Sequence, residues 1–548
     1  MVNIIGDLFF VITVVFCVVT KAHIIKNKEN KEILEDNIVT KFGNYILIVI
    51  FAFSVFILTF RLSSVPEGLH VDEAGSLYDA ICISKYGVDR FLYKLPVYFV
   101  NFGGGQNALY TYLAALMVKI FGVSTFVFRL PAVILSLISI VLLYKVVLEN
   151  NGKKEALITT FILAICPWFI MKSRWGLESY LMCSLLMISM YFFVKALNFN
   201  KTYMYFISGL FFGITLYTYA IAYIVVPAIV GILVLYMLIN KKIKIKNIIV
   251  MAIPMGILAV PLLLMLMYNS GLINEVNIPI FSIPKLWFYR GGEISIKNIP
   301  ENLKNIFDVL FIEDFLNYNA ISKFGTLYKL SIPLVIFGFI EVLGKSIKDV
   351  KNKEFTLDLA MLVNFCVVFI IGLCLAELNI NKINAIYIPM VYFAGRFLGY
   401  ISDNIKYAIW IVLALYVLNA GLFCRDYFVN YANSDLAYFE SDIISAVKKA
   451  EELNRKQIRV EDCLNQTYIY TLIANPISPY EFNENVEIDY ENRRILEYGK
   501  YVFKIAGDAD RDDVYIIKND EERINLYKEV GFKSEQYGDF SVLWFDRD

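Results

Sequence analysis

The chain has 548 residues, of which 58% are hydrophobic and 19% charged, with Lys plus Arg and Asp plus Glu balanced at 51 each. A mean hydropathy of +0.58 lies well above that of an ordinary soluble globular chain, which excludes a soluble fold and implies a polytopic α-helical membrane protein. The formal net charge of +0 conceals segregation, with lysines in short loops and acids in the last part of the chain, so it says nothing about partners and gives no pointer to nucleic acid.

The first apolar run, residues 3–20, lacks a basic leader, contains Asp7 and ends in Val-Thr-Lys without a small-residue cleavage site. It is read as a retained anchor, not a signal peptide. A transmembrane helix needs roughly 20 apolar residues. Further runs of that kind lie at 43–60, 129–147, 155–171, 179–197, 203–218, 222–240, 247–268, 328–344, 356–376, 384–400 and 406–423. Between the second and third runs, residues 61–128 hold "GLHVDEAGSLYDA" and the leftover stretch "NALYTYLAALMVKIFG". Residues 107–121 mix Asn107, Tyr110, Thr111, Tyr112 and Lys119 into a short apolar stretch, which suits a helix lying at the interface better than a lipid-facing span.

Excluding that stretch leaves about twelve spans and puts the lysine-rich loops "KAHIIKNKENKEILEDNIVTK", "NGKKEA", "NKKIKIKN" and "KSIKDVKNKE" on one, cytoplasmic, side. Both termini, the Asp72 loop, "SRWGLES", residues 269–325 and "AELNINK" then lie outside. The tail, 425–548, is acidic and reads as a small extracytoplasmic α/β domain. Its helical patterns are "SDIISAVKKAEELNRK" and "DEERINLYKEV", and its β-rich runs are "TYIYTLI", "DVYIIK" and "FSVLWF". The expected domains are therefore 1–424, transmembrane, and 425–548.

Most of the 8 cysteines sit inside apolar runs (Cys17, Cys166, Cys183, Cys366, Cys374), and none forms a C-x-x-C pair or clusters with either of the 2 histidines. Neither a disulfide framework nor a zinc site is expected. The ionisable groups at the outer ends of the spans are Asp72 and Glu73, Arg129, Arg174 with Glu178, and Lys382. Charge near hydrocarbon is costly and marks functional candidates. Adjacent residues do not share a helix face, so Asp72 and Glu73 have different jobs, one pointing into a cavity and one holding the loop. A solvated turn is the alternative for both. Arg174 suits a phosphate by its fork and Lys382 by its compact charge; the alternatives are snorkelling, or for Arg174 an i,i+4 pair with Glu178. Trp175 and Trp287 read as interfacial belt residues. The glycines of "FGGGQNALY" lack the Gly-Lys-Ser/Thr of a nucleotide loop and read as a turn before the interfacial helix.

The ordered motifs "HVDEAGSLYDA", "LPVYF", "GGGQNALYTYL", "FGVSTFVFRLPAVILSLISIVLLYKV" and "CPWFIMKSRWGLESY" resemble the lipid-carrier-dependent glycosyltransferases of the C-type (GT-C) fold, the group of protein O-mannosyltransferases and lipid A aminoarabinose transferases. The likeness covers roughly residues 43–240, with a weaker echo at "NKINAIYIPMVYFAG". It implies a first external loop with juxtamembrane helices and a catalytic Asp at Asp72, with Glu73 beside it. The Lys-Pro-Pro-Leu-Tyr-Tyr stretch of the aminoarabinose branch is "QNALYTY" here, so Gln106 replaces that branch's phosphate-binding lysine, and Lys94 is the neighbouring cation that could compensate. His70, Tyr78, Lys94, Gln106, Asn107, Arg129, Arg174, Glu178 and Lys382 are the candidate substrate-binding residues.

The implied reaction moves a sugar from a polyprenyl-phosphate donor in the bilayer of the cell membrane to an acceptor hydroxyl of a glycan, lipid or protein on the outer face, inverting in one displacement. The resemblance leaves room for a divalent metal ion near the acids, as in some relatives, although no ligand set in the sequence demands one. A polysaccharide polymerase or ligase, and a lipid or solute transporter or flippase, are the rival readings; the internal repeats common in transporters are not found here.

Overall fold

The computed structural model describes residues 2–26, 37–276, 278–289, 292–312, 316, 318–405, 408–433, 439–464, 466–505 and 509–546. They fall into two compact units, Met1–Phe60, Ala132–Val260 and Gly292–Tyr431 in one, and Arg61–Pro131, Pro261–Gly291 and Ala432–Asp548 in the other.

All twelve apolar runs are helical, because in lipid a chain can satisfy its backbone N–H and C=O groups only within itself. Among the described residues, six helices are long and apolar enough to cross a membrane: Lys41–Thr59, Thr125–Asn151, Glu178–Phe199, Ala222–Ile239, Ile245–Asn269 and Ile409–Asn430. The run 3–20 lies in the 25-residue helix Val2–Lys26, while Thr202–Thr215 and Leu357–Leu373 are shorter. The 155–171 run breaks into Lys153–Ile165 and Pro167–Lys172, since the residue before a proline is pushed out of helical geometry and Cys166 is extended at φ −63° and ψ 127°. Small residues let the helices approach closely, as a Cβ on Gly209 or Gly338 would collide with the carbonyl of Met251 or Phe393.

One polar network ties the first unit together. Arg396 reaches Glu155 at 2.5 Å and Asp358 at 3.0 Å, while Lys345 (2.7 Å) and the Tyr392 hydroxyl (2.5 Å) also meet Asp358. Because each charge has an opposite partner, the cost of burying it is offset. No local pattern in the sequence marks this cluster.

In the second unit the tail builds a seven-stranded mixed sheet in the order Phe532–Tyr537, Phe540–Phe545, Val514–Lys518, Ile458–Val460, Tyr501–Val502, Arg494–Tyr498, Glu487–Asp489. "DVYIIK" and "FSVLWF" are strands as read, and both helical patterns are helices, Asp442–Glu452 and Glu521–Glu529. The run "TYIYTLI" is not a strand but the helix Tyr468–Ala474. Tyr468, Ile469, Tyr470 and Leu472 are all buried, and a short run that is apolar on every side carries no periodicity to separate helix from strand. This helix packs on Val71–Tyr86, the helix that begins with the acid pair.

The tail is also joined to the first loop by a strand pair, Leu69 opposite Glu440 and His70 opposite Phe439. Gly68, at φ +74°, permits it, because a Cβ there would lie 2.7 Å from the Glu440 backbone. Tyr98–Phe99 pairs with Gln106–Asn107 across the glycine turn, where Gly103 and Gly105 take φ +80° and +92°. The helix Ala108–Phe121 follows, with 14 residues. At about 1.5 Å per residue it falls short of the ~30 Å hydrocarbon core. Cysteines placed at the exposed positions Leu92 and Val123, on either side of this helix in sequence, should therefore react with an impermeant thiol reagent from the same side of the membrane in a Cys463→Ser background; labelling from opposite sides would make Ala108–Phe121 a span.

Candidate functional site

The helix Val71–Tyr86 starts in a capping box. The His70 ring accepts from the Asp72 amide at 3.1 Å, and the His70 amide donates to Glu73 Oε2 at 3.1 Å. The two acids then part, as neighbouring residues on a helix must. Glu73 points inward, fully buried, and its carboxylate grips Arg129 through two bonds, Nε to Oε1 at 2.9 Å and Nη2 to Oε2 at 2.8 Å. Arg129 spends its other N–H groups on the carbonyls of Leu62 (3.0 Å), Pro66 (3.0 Å) and Gly68 (2.9 Å). All five donors of the guanidinium are thus engaged, and the loop 62–68 is pinned to the helix that follows it. Glu73 and Arg129 are thus engaged with each other and with the loop.

Asp72 faces the other way, its side chain 38% exposed. Its Oδ1 lies 3.4 Å from Asn101 Nδ2 and its Oδ2 3.6 Å from His70 Nδ1. Asp72 sits in the first turn of the helix Val71–Tyr86. Asn101 is itself oriented, because its Oδ1 accepts from Arg90 Nη2 at 3.1 Å, which leaves its amide hydrogens for Asp72. Arg90, fully buried, also binds Asp79 (2.7 Å), the Gly75 carbonyl (2.7 Å) and the Tyr468 hydroxyl (2.9 Å). Arg90 and Asn101 are not among the residues singled out in the sequence; the one signal is an Arg eleven residues after Asp79 of the helix Val71–Tyr86.

The remaining candidates of this unit serve the scaffold or lie apart. Tyr78 is buried with its hydroxyl on the Ile477 carbonyl at 3.0 Å, and Gln106 accepts from Ser76 Oγ at 2.9 Å. Asn107 is buried in its strand pair with Tyr98, and Lys94 is exposed, its amide donating to Ser282 Oγ at 3.1 Å.

Arg174, Glu178 and Lys382 belong to the first unit. Arg174 is fully buried and donates to the Ile57 and Phe60 carbonyls at 2.6 and 2.7 Å, capping the C-terminal end of Asn37–Thr59, with its guanidinium 4.9 Å from the centre of the Phe428 ring. A cation is favourable at that end of a helix, so the arginine read as a phosphate ligand is engaged as a cap. Glu178 opens the helix Glu178–Phe199, the favourable end for an acid. Trp175 is 1% exposed between Tyr180 and Tyr318, which corrects its reading as an interfacial belt residue. Lys382 lies 3.4 Å from Glu293 and 3.8 Å from Glu377. Beside it in sequence, Asn381 accepts from Lys172 Nζ at 2.9 Å; Lys172, which sequence reading passed over, also meets Asn319 and sits 4.0 Å from the Tyr180 ring centre. Among the described residues no three His, Cys, Asp or Glu side chains converge as a metal site, so no step is assigned to the divalent ion the resemblance left room for.

Residues 107–268 match the family described as dolichyl-phosphate-mannose-protein mannosyltransferase. In structure the chain is similar to ArnT from Cupriavidus metallidurans bound to undecaprenyl phosphate, at 10% identity and TM-score 0.53, over 92% of this chain and 98% of that one. It is also similar to the apo oligosaccharyltransferase of Archaeoglobus fulgidus, at 12% identity and TM-score 0.47, over 79% of this chain but only 64% of the length of that protein. No curated protein matches the chain by sequence. The fold is the GT-C fold, with a sheet domain in the tail.

Two outcomes follow from the burial pattern. Glu73→Gln strands a buried guanidinium and should cost about 3–5 kcal/mol of stability, whereas Asp72→Asn, at a half-buried position, should stay within about 0.5 kcal/mol; thermal unfolding midpoints in detergent separate them. The second concerns Asp89, whose Oδ1 accepts from the Phe91 and Tyr93 amides at 2.9 Å while its buried Oδ2 has no partner among the described residues. Burial, reinforced by the charge of Asp79, pushes its carboxyl up to about 8. The unfolded chain loses this proton near ~3.9. The folded state therefore holds more protons between those values, and its stability must fall as pH rises from ~4 towards 8. Hydrogen-exchange protection factors of residues 61–131 in the full chain, taken relative to the intrinsic rate at each pH, should fall over that range, and Asp89→Asn should flatten the dependence.

Proposed function

We propose that this membrane protein of the GT-C fold, with its mannosyltransferase-family segment at 107–268, transfers a sugar from a polyprenyl-phosphate donor to an acceptor hydroxyl, with Asp72 as the base. The observation that carries the assignment is the division of labour in the acid pair: Glu73 is consumed by Arg129, while Asp72 is half-buried, oriented by Asn101 and open on one side.

In the proposed step the acceptor hydroxyl gives its proton to Asp72 as its oxygen attacks the anomeric carbon. The bond from that carbon to the phosphate oxygen breaks, and polyprenyl phosphate leaves as an anion. A phosphate needs no strong acid to depart, so a single carboxylate suffices and the configuration inverts. Charge developing on the phosphate calls for fixed cations. The lysine-rich loops argue that the Asp72 loop and the tail face away from the cytoplasm. Aqueous acceptor and membrane-anchored donor would then meet at the outer surface of the cell membrane.

Asp72→Asn should lower turnover of a polyprenyl-phosphate monosaccharide by ~10²–10⁴-fold. Release of polyprenyl phosphate from a panel of such donors, in nanodiscs, gives the measurement; wild-type turnover in the variant would refute the assignment. Asn101→Ala should cut kcat with little change in KM, since it orients the base without holding substrate.

A further inference from the structure

On the second unit, three stretches distant in sequence build one aromatic surface. Trp287 meets Phe91 and Tyr490 edge to face, with centroids at 5.4 and 5.2 Å. Arg493 lies 4.9 Å above the Phe288 ring. Phe288 and Tyr490 are 45% and 61% exposed, so their faces are offered to a ligand and not filled by the core. Gly103 makes the junction possible, as a Cβ there would lie 2.9 Å from Trp287 and 3.2 Å from Arg493.

Next to this surface lies a polar pocket. Gln466 bridges the two, its Nε2 donating to the Arg493 carbonyl at 3.0 Å. The pocket is lined by Asp462, Gln466, Thr467, Tyr468 and Arg494. Thr467 Oγ1 holds one oxygen of Asp462 at 3.1 Å and Arg494 holds the other at 3.2 Å, from a side chain that is itself 61% exposed. Tyr468, at its back, is the residue whose hydroxyl meets Arg90.

We infer that this surface binds the acceptor and that the acceptor is a glycan, an inference that rests on the glycosyltransferase reading above. A sugar ring has apolar C–H faces, which suit exposed aromatic rings, and paired hydroxyls at its edge, which suit a carboxylate, a guanidinium and an amide set side by side. A membrane surface is the rival occupant. It fits poorly, because Asp489 and Glu491 flank Tyr490 and Asp462 lies in the pocket, and carboxylates repel anionic head groups.

The test uses the full chain in detergent and nanodiscs, without donor, with maltohexaose, cellohexaose and mannohexaose as probes and saturation-transfer NMR as readout. At least one probe should bind saturably, and Tyr490→Ala and Arg494→Ala should each weaken it tenfold or more. Binding is read without donor and independently of turnover, which keeps this outcome separate from failure of the catalytic assignment. No saturable binding of any probe, or binding indifferent to both alanine substitutions, overturns the inference. So does a spin label at Tyr490→Cys that reports lipid in place of water as its surroundings in nanodiscs.

Discussion

A single buried arginine holds the loop between the helices Asn37–Thr59 and Val71–Tyr86 in shape. Arg129 joins the start of the long helix Thr125–Asn151 to Glu73 on the helix Val71–Tyr86 and to three carbonyls of the loop between. Breaking a buried pair leaves one charge without compensation, which costs far more than an exposed contact would. With Glu73 locked inward, helix geometry obliges Asp72 to point elsewhere. The capping box then sets the first turn, and Asn101, held by Arg90, meets the carboxylate. The exposed acid is thus positioned by groups that never leave the interior.

The same logic extends to the tail. Its strand Phe439–Glu440 pairs with Leu69–His70 next to the acid pair, and its helix Tyr468–Ala474 packs on Val71–Tyr86. Tyr470 donates to the Leu69 carbonyl at 3.3 Å and Asn483 to the Arg90 carbonyl at 2.6 Å. A domain bonded on both sides of the helix Val71–Tyr86 constrains the position of Asp72 as well as adding surface. In the membrane-embedded unit, order comes instead from close backbone approach at glycines and from the Arg396 network, since lipid offers no hydrophobic drive for helices to associate.

Much of this was legible in the sequence where a physical constraint acts over a long run. Apolar runs of about 20 residues declare their helices, and the β-rich composition of "FSVLWF" and the pattern in "DEERINLYKEV" declare a strand and a helix. The different fates of Asp72 and Glu73 followed from their adjacency alone. What could not be read were partnerships made across the chain. Nothing local in "KSRWGLES" says that Arg174 caps a helix ending more than a hundred residues earlier, that Trp175 is enclosed, or that Lys172 is buried beside Asn381. "TYIYTLI" failed for a related reason, because burial on every side erases the period that distinguishes the two regular structures.

The central claim is that Asp72 does chemistry and Glu73 holds it in place, and chemical rescue tests it most directly. A small carboxylate such as formate can enter the space left by Asp72→Ala and accept the proton of the acceptor hydroxyl, whereas it cannot rebuild a buried ion pair. Added formate should restore transfer in Asp72→Ala in a concentration-dependent way and leave Glu73→Ala unchanged. Rescue of Glu73→Ala with none for Asp72→Ala would contradict the account.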